Sequence, residues 1–192
     1  YMECVNTDDV VSSVSGDATF PLDLNTTTSF FQDALGAATP NAVNPLLFGF
    51  FPDLEYDSWV TIGISQQPDG AANEGEVSVV ESPTQAWLLP FETGGNIVID
   101  DPTGGAWFVT QNYSNGIAGD DHKVLLAQLT TDGEISGTLL VQIFEHGVGE
   151  SDLRFHLSFD GTNGSGAGGC IDPEADNFNP TAAVDDGSCL YG

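Results

Sequence analysis

The chain has 192 residues, 40% of them hydrophobic, which is enough for one domain of ordinary size with a substantial core. It carries 29 acidic residues against two basic ones, Lys123 and Arg154, and its formal net charge is −27. This charge excludes nucleic acid and anionic membranes as partners, because both are bound through Lys and Arg, and no apolar run reaches the roughly 18 residues of a membrane span.

The first predicted elements are an arm, an edge strand and a short helix. Residues 1–17 are polar and acidic, and we interpret them as an N-terminal arm. They have neither the basic nor the apolar region of a signal peptide, which is typical of a mature terminus or an internal fragment. Residues 18–24 alternate apolar and polar side chains, and Pro21 places this strand at a sheet edge because proline cannot donate to a ladder. Residues 29–35 predict a helix ending at Gly36.

A strand with one buried face is predicted over residues 58–65. Val60, Ile62 and Ile64 recur at a period of two, and this pattern of β-branched residues is typical of a half-buried strand. The carboxylates of Glu55 and Asp57 precede the strand. A catalytic or metal-binding role for this pair is disfavoured, because the chain offers the two carboxylates no basic partner.

Short strands follow at close intervals, separated by turns rich in Gly, Pro and Asp. They are predicted over residues 76–81, 86–91, 96–99 and 106–110. Residues 123–144 predict a hairpin that turns at Asp132-Gly133, since Asp-Gly between two alternating runs is a strong hairpin signal. In the last strand, residues 153–159, we expect the odd-numbered apolar side chains to face the core.

About eight short strands with turns every 8–12 residues predict an all-β fold, an antiparallel β-sandwich of jelly-roll or immunoglobulin-like type. The sandwich is expected over residues 18–160. Residues 161–169 are rich in Gly and predict a flexible linker. Residues 170–192 are expected to form a small module closed by a disulfide.

The three cysteines favour an oxidising compartment. Cys170 and Cys189 are predicted to form a disulfide closing a loop of about 20 residues, worth on the order of 3 kcal/mol through the unfolded state. Cys4 is left over, and an odd cysteine in a secreted chain suggests an intermolecular bond or a free thiol.

The carboxylate excess and the sequons also indicate an extracellular environment. Self-repulsion opposes compaction, whereas salt or bound Ca²⁺ relieves it. N-x-S/T triplets begin at Asn25, Asn112 and Asn163, and they are candidate glycosylation sites if the source is eukaryotic. We therefore expect an extracellular or cell-surface protein in a saline, calcium-rich medium.

The cysteine-bounded module carries the most specific motif. Residues 170–189 read CIDPEADNFNPTAAVDDGSC. This segment resembles the repeat C-x-D-P-x-A-x-N-[YF]-N-P-x-A-x-x-D-D-G-S-C of secreted and surface proteins of marine bacteria and algae. The resemblance implies an extracellular module, often C-terminal and often repeated, and no activity. Through LLFGFFPDLEYDSWVTIG and the later GGAWF and GIAGDD, the preceding domain is similar to uncharacterised β-domains of secreted marine proteins, which also implies no activity.

The module is rich in oxygen ligands for Ca²⁺. The candidate ligands are Asp172, Asp176, Asn177, Asn179, Asp185 and Asp186. The segment begins like an EF-hand loop but lacks the glycine at its sixth position and the glutamate at its twelfth, so a looser site is expected. The alternative is a turn whose Asp and Asn side chains bond their own backbone. Asp100 with Asp101, and Asp120 with Asp121, are candidate second calcium sites, with solvated turn carboxylates as the alternative.

Other residue patterns favour a binding or structural protein over an enzyme. Trp59, Trp87 and Trp107 could line a sugar platform, but core packing is favoured because two of them lie in predicted strands that also carry core residues. The three histidines lack metal-ligand spacing. The sequence contains no nucleophile elbow, Walker motif or dinucleotide motif, and its carboxylates are too abundant for any pair to indicate a glycosidase.

We therefore expect a structural subunit of an extracellular assembly, such as a filament, an appendage or a surface layer. An arm with an unpaired Cys4, an edge strand that could complete a neighbour's sheet, and a tethered module support this hypothesis. Its partners would be further subunits, and calcium would bridge their acidic faces. The alternative is a carbohydrate-binding or adhesion domain of a secreted protein, in which exposed aromatic side chains lie beside a calcium site. A secreted hydrolase is a third hypothesis.

Overall fold

The computed structural model describes residues 1–160, 175, 190 and 191. The fold is all-β with antiparallel pairing throughout the described strands, as the sequence predicts. In chain order the strands are Met2–Glu3 (β1), Val10–Gly16 (β2), Leu22–Thr26 (β3), Trp59–Val60 (β4), Ser78–Val80 (β5), Ile97–Ile99 (β6), Gly105–Phe108 (β7), Lys123–Val124 (β8), Ala127–Gln128 (β9), Ile135–Phe144 (β10) and Asp152–Asp160 (β11). Membership of the jelly-roll or immunoglobulin-like class stays a prediction.

The helices are short and lie in the connections between strands. The α-helix is Leu88–Glu92 (α1), and the 3₁₀ helices are Pro40–Ala42, Pro45–Leu47, Pro52–Tyr56, Gly70–Ala72 and Glu145–Gly147. Proline begins three of the 3₁₀ helices, because its fixed φ suits the first helical position. No helix among the described residues has the length and apolar character that a bilayer crossing requires.

The long strand β10 is the centre of the main sheet. The order of this seven-stranded sheet is β5-β7-β2-β10-β3-β6, and β11 also pairs with β10. Along one edge, residues 136–144 of β10 pair with β11. Along the other edge, β2 pairs with the C-terminal half of β10 and β3 pairs with its N-terminal half. β10 is therefore paired on both edges over nearly its whole length.

Two positions in the sheet are each occupied by two strands that lie end to end, and we call each such pair of strands a lane. Both lanes are interrupted at the same level of the sheet. β2 and β3 lie end to end along β10, and β7 and β6 repeat this arrangement one strand further out. The first lane leaves the sheet over residues 17–21 and the second leaves it over residues 100–104. The two excursions lie side by side, because the backbone N–H of Ala18 donates to the carbonyl of Asp101 at 3.0 Å.

Gly104 of the second excursion packs closely against the start of the first, and an acidic side chain closes the first. Gly104 has a φ of +75°, and a Cβ there would lie 2.5 Å from the carbonyl oxygen of Gly16. Oδ1 of Asp17 accepts hydrogen bonds from the backbone N–H groups of Thr19 and Phe20 at 2.6 and 2.9 Å. The hydrogen bond from Phe20, followed by that from Thr19, lowers the pKa of Asp17. The turn is thus stabilised by a carboxylate that accepts from its own backbone.

One row of side chains across the sheet forms the centre of the core. Val14 lies in register between Trp107 and Val141, and Val79 and Phe155 extend the row at its two ends. The three central side chains are fully buried, whereas the two terminal ones are partly exposed. Burial is therefore greatest across β7, β2 and β10, and it decreases toward β5 on one side and β11 on the other.

Two small ladders complete the core. β1 pairs with β8, and β4 pairs with β9. Val60 and Val124 from these ladders are buried in the same hydrophobic cluster as Trp107. The indole N–H of Trp107 also donates to the carbonyl of Thr61 at 3.1 Å, which joins the main sheet to the β4 segment by a buried hydrogen bond.

The predicted N-terminal arm is wrong, because residues 10–16 form β2 in the interior of the sheet. β2 lies between β7 and β10, and Val11 and Val14 are fully buried. The serines that made this segment look like a polar arm, Ser13 and Ser15, lie on its other face and are partly exposed. The β domain therefore begins well before residue 18.

The strand predicted over residues 18–24 is confirmed only from Leu22 onward, and its predicted position at a sheet edge is wrong. The strand begins at Leu22, after Pro21, and both of its edges are paired because it lies between β10 and β6. Proline stands outside the ladder, so its missing N–H costs no sheet hydrogen bond. Leu22 and Leu24 are buried as their alternation predicts, whereas Phe20 is 45% exposed.

Residues 29–35 contain no helix. The backbone N–H of Phe31 donates to the carbonyl of Thr130 at 2.7 Å, and its carbonyl accepts from Ser58 at 3.1 Å. These long-range bonds hold the segment in an irregular conformation, since tertiary pairing overrides a weak helix propensity. Phe30 is buried, as predicted.

Residues 86–91, predicted as a strand, contain α1. Trp87 and Phe91, four residues apart, are both buried, while Leu89 between them is 67% exposed. The backbone N–H groups of Trp87 and Leu88 both donate to Oε1 of Glu81 at 2.7 Å, which satisfies the helix N-terminus. Because nearly every residue in this run is apolar, its periodicity could not distinguish helix from strand.

The predicted hairpin over residues 123–144 does not form as a pair. β8 pairs with β1, β9 pairs with β4, and β10 pairs with β2, β3 and β11. The turn at Asp132-Gly133 instead carries the chain from the small ladder into the main sheet. The strands predicted over residues 76–81, 96–99 and 106–110 are confirmed in part of each range as β5, β6 and β7.

Two further strands differ from their predicted burial. In the 58–65 segment, Val60, Ile62 and Ile64 are buried as predicted, but Trp59 on the other face is buried too. In β11 the odd-numbered apolar side chains are only partly buried, and Leu153 is 42% exposed. Among the described strands β11 pairs with β10 alone, so its inward face has fewer neighbours.

We expect Val14→Asp to prevent folding, whereas Val5→Asp is tolerated. Val14 is 0% exposed and Val5 is 81% exposed. An unpaired buried carboxylate should cost more than about 4 kcal/mol, whereas the exposed one should change stability by less than about 0.5 kcal/mol. Urea unfolding followed by tryptophan fluorescence measures both. If residues 1–17 were an arm, the two variants would be equally stable.

Candidate functional site

The residues of the predicted calcium module lie outside the described residues and stay predictions from the sequence. They are Asp172, Asp176, Asn177, Asn179, Asp185 and Asp186, with Cys170 and Cys189 of the predicted disulfide and the sequon residue Asn163.

Asp101, from the first candidate pair of turn carboxylates, closes a loop. Its Oδ2 accepts hydrogen bonds from the hydroxyls of Ser82 and Thr84, and its Oδ1 accepts from the N–H of Gly104 at 2.7 Å. The hydrogen bond from Ser82, followed by that from Thr84, lowers the pKa of Asp101. Asp100 beside it accepts from a glutamine amide at 2.7 Å. Both oxygens of Asp101 are thus used by the protein, which favours a structural role over calcium ligation.

The second pair, Asp120 and Asp121, is exposed in a turn. Oδ1 of Asp121 accepts from the backbone N–H of Lys123 at 3.3 Å. Neither this pair nor Asp100 with Asp101 is joined by a third acidic, His or Cys ligand within the described ranges. The structure therefore adds no support for calcium at either pair.

A group that the sequence did not predict brings together Asp8, Asp9 and His146. Ligand atoms of all three lie within 4.8 Å of one another. His146 is separated from Asp9 by 137 positions, so no local spacing could reveal the group. The antiparallel pairing of β2 with β10 creates it, because Val10 and Phe144 are paired and the preceding and following loops meet.

Hydrogen bonds within this cluster occupy the Asp9 carboxylate. It accepts from the backbone N–H of Asn6 at 2.8 Å and of His146 at 3.0 Å, and from the Asn6 side-chain amide at 3.1 Å. Nδ1 of His146 lies 2.8 Å from Oδ1 of Asp8. Because protein donors already fill the buried carboxylate, the cluster closes this end of the sheet without requiring an ion.

The surroundings of the cluster shift the pKa of His146 upward and the pKa of Asp9 downward. Burial would raise the pKa of Asp9, but the hydrogen bonds from Asn6 and His146 outweigh burial and lower it. The hydrogen bond to Asp8, reinforced by its negative charge, raises the pKa of His146. The His146 side chain is exposed, so solvent screens this interaction.

Asp57, from the Glu55/Asp57 pair, is a buried loop anchor. Its Oδ1 accepts from the N–H of Asp33 at 2.8 Å, and its Oδ2 accepts from the N–H of Ala37 at 3.1 Å. Burial raises the pKa of Asp57, and the two hydrogen bonds oppose that shift. Glu55 is exposed, so the two carboxylates do not share one environment as a catalytic pair would.

An exposed apolar surface lies beside the loop that Asp57 anchors. We define it by large, exposed hydrophobic side chains of two neighbouring segments: Phe31, Leu35, Leu46, Leu47, Phe50, Phe51 and Tyr56. Leu46 and Phe50 are each 80% exposed. Leu46 lies in the 3₁₀ helix that begins at Pro45, and the N–H groups of Phe50 and Phe51 donate to the carbonyl of Leu47 in the turn before the helix that begins at Pro52. Large exposed apolar patches mark interaction sites in soluble proteins.

The three tryptophans do not belong to any surface. Trp59, Trp87 and Trp107 are 2%, 1% and 0% exposed, which confirms the preference for core packing. Trp87 and Trp107 also pack against each other, with ring centroids 5.8 Å apart. A sugar platform built from tryptophan is therefore excluded.

Cys4 and the two described sequons lie in different environments. Cys4 is partly buried against the core, and burial, followed by the negative charge of Asp9, raises its thiol pKa to about 11. Asn25 lies in β3, where its amide donates to Asp23 at 2.6 Å. Asn112 is exposed in a turn. Asn112 is thus the more accessible of these two asparagines.

Comparisons of the chain with protein-family models, curated proteins and solved structures return no match. Function is therefore inferred from the residues of this chain.

Replacing His146 with Asn should destabilise the protein at low pH and have a smaller effect at high pH. Because the folded-state pKa of His146 is raised, its contribution is complete below the unfolded value of about 6.5 and is lost as pH rises through the folded value. Urea unfolding of both proteins between about pH 5 and about pH 9 measures the difference. Asn also tolerates the left-handed backbone at this position, where φ is 52°.

The matched background for that comparison is Asp8→Asn, which removes the negative charge that favours the protonated imidazole. There the effect of His146→Asn should vary less with pH. A stability difference that stays constant with pH in the wild-type background would contradict the expectation.

The Cys4 thiol should react slowly in the native protein. A pKa of about 11, against the ordinary value of 9.0, leaves roughly 100-fold less thiolate near pH 8. The measurement is the rate of iodoacetamide labelling of the Cys4 peptide, by mass spectrometry, in buffer and in urea. Cys4→Ser provides the blank. Equal rates in the two conditions would show that Cys4 is an accessible, reactive thiol and would restore its predicted role in intermolecular bonding.

Proposed function

We propose that this protein is a non-catalytic structural subunit of an extracellular assembly, which associates with further copies through the exposed apolar surface. The observation that carries the proposal is that surface itself. Leu46 and Phe50, at 80% exposure, keep most of their apolar area in water, and burial of such area is the main driving force for protein association. The prolines at both ends of the segment reduce the conformational entropy lost on association.

The charge distribution makes this association dependent on cations. The two basic side chains are already used, because Lys123 lies 3.0 Å from Glu3 and Arg154 lies 3.1 Å from Asp152. Asp53, which lies between Phe51 and Tyr56 of the apolar surface, adds an exposed carboxylate there. Two copies therefore repel each other at low ionic strength, and salt or Ca²⁺ between the acidic faces reduces that repulsion.

The proposal no longer depends on the arm or the edge strand, since β2 and β3 lie inside the sheet. Its remaining sequence support is the acidic composition and the C-terminal module, which resembles repeats of secreted marine proteins. On this basis we place the protein outside the cell, in a saline medium, with a sandwich-type β domain and a disulfide-closed, calcium-binding module. Self-association is also compatible with the raised pKa of Cys4, because apolar contact needs no reactive thiol.

We expect the wild-type protein to self-associate as NaCl or CaCl₂ is added, and the double variant Leu46→Glu, Phe50→Glu to remain monomeric. Both positions are exposed, so the substitutions should alter stability by less than about 0.5 kcal/mol each. Sedimentation velocity over a range of protein, salt and calcium concentrations, with and without EDTA, measures the assembly state.

The matched control is Leu89→Glu, which adds a carboxylate at a 67% exposed leucine outside the apolar surface. This variant should associate like the wild type. A wild-type protein that stays monomeric under every condition would overturn the proposal, and so would a double variant that associates normally.

A further inference from the structure

The outer face of the main sheet contains a groove of roughly 460 Å³. Its floor is formed by Ser12 and Ser13 of β2, and its walls are formed by Phe108 of β7 on one side and by Gln142 and Phe144 of β10 on the other. Since β7 and β10 are separated by β2, the walls stand about 10 Å apart. A volume of this size lies within the usual range of small-ligand sites.

A β-bulge gives the groove its floor. Ser13 pairs with Gln142 and Val11 pairs with Ile143, so Ser12 is an extra residue in β2. The hydroxyls of Ser12 and Ser13 both donate to Oε1 of Gln142, at 2.9 and 3.2 Å. Bulges often re-aim side chains beside functional sites. Here two small side chains lie between two phenylalanines, which leaves a depression in an otherwise continuous face.

The lining is uncharged although the protein is highly acidic. The nine described residues that line the groove include hydroxyls, two glutamine amides and two phenylalanine rings, and none is an acid or a base. The nearest charges in register belong to Arg154 and Asp152, which pair with each other at 3.1 Å. The groove is therefore a neutral, partly aromatic site on a chain with a net charge of −27.

This chemistry narrows the class of ligand. A metal cation would need carboxylates that the lining lacks, and an anion would be repelled by the surrounding charge. A wholly apolar ligand would cover the exposed amide of Gln111 without offering it a hydrogen-bond partner. A neutral sugar matches both features, because its hydroxyls bond to amides and hydroxyls while its C–H face packs on an aromatic ring.

We propose that the groove between Phe108 and Phe144 binds a segment of a neutral polysaccharide. The site is separate from the apolar surface and uses none of the tryptophans. It would let an extracellular subunit attach to an uncharged glycan while its carboxylates repel acidic ones. Binding at this site goes beyond self-association and does not depend on it.

The test is an NMR titration of the ¹⁵N-labelled full chain, at a salt concentration where it is monomeric, with cellotetraose, laminaritetraose, mannotetraose and xylotetraose, each up to about 10 mM. Alginate and sulfated galactan oligosaccharides are the charged comparison. We expect at least one neutral sugar to shift amide signals of the Ser12, Phe108 and Phe144 segments, and the charged sugars to leave them unchanged.

Two variants test the walls and the floor. Phe144→Ala removes an aromatic wall and Ser13→Leu fills the groove, and each should weaken binding by about tenfold or more. Phe20→Ala is the matched control, because Phe20 is a half-exposed aromatic outside the groove, and it should bind like the wild type. Near-ultraviolet circular dichroism checks that each variant is folded.

Three results would overturn the proposal: no shift with any neutral sugar, shifts that map away from the groove, or unchanged binding by folded Phe144→Ala and Ser13→Leu. If either variant fails to fold, the map of shifts in the wild-type protein still decides. Because the sugars are added to monomeric protein, failure here is distinct from failure of the proposed self-association.

Discussion

The pairing of one edge of β10 with both β2 and β3 is the constraint on which the rest of the structure depends. It places an N-terminal strand in the middle of the sheet, with Val14 at the centre of the core. It also brings Asp9 next to His146 and introduces the bulge at Ser12. The break between β7 and β6 is a consequence as well, because these two strands pair with β2 and β3 and therefore separate where β2 and β3 separate. One long-range register therefore generates the core, the cluster and the groove.

The protein stabilises its most enclosed carboxylates with its own donors in place of basic side chains. Asp9, Asp57 and Asp101 each accept at least two hydrogen bonds from backbone N–H groups or hydroxyls, and Asp17 closes its turn in the same way. Hydrogen bonds to an ionised carboxylate are stronger than those between neutral groups. Most of the other acidic residues between residues 1 and 160 are exposed, where repulsion among them is screened by salt. A chain with two basic residues can fold this way because carboxylates at turns need no counter-ion from a side chain.

The proposed contacts lie where carboxylates are scarce or absent. The apolar surface around Phe50 offers hydrophobic area, and the groove between Phe108 and Phe144 offers uncharged polar groups with aromatic walls. Both are held by ordered backbone, one by 3₁₀ turns and the other by the sheet. A partner can approach the uncharged groove without a large electrostatic cost, whereas contact at the apolar surface needs cations because Asp53 is exposed there.

The sequence by itself determined the all-β class, the short strands in the 96–110 region and the burial of the tryptophans, because alternation and turn residues are local signals. It also determined the net charge of −27, from which we predict that nucleic acid and anionic membranes are not partners. Only the tertiary structure decided that β2 lies inside the sheet, that residues 86–91 turn into a helix, and that Asp9 meets His146. The first and third outcomes depend on pairing between segments that lie more than 100 residues apart. The helix depends on the packing of an almost wholly apolar run, whose hydrophobic pattern has no clear period. Local patterns carry no information about which distant strand becomes the neighbour, and that choice fixes which side chains share a surface.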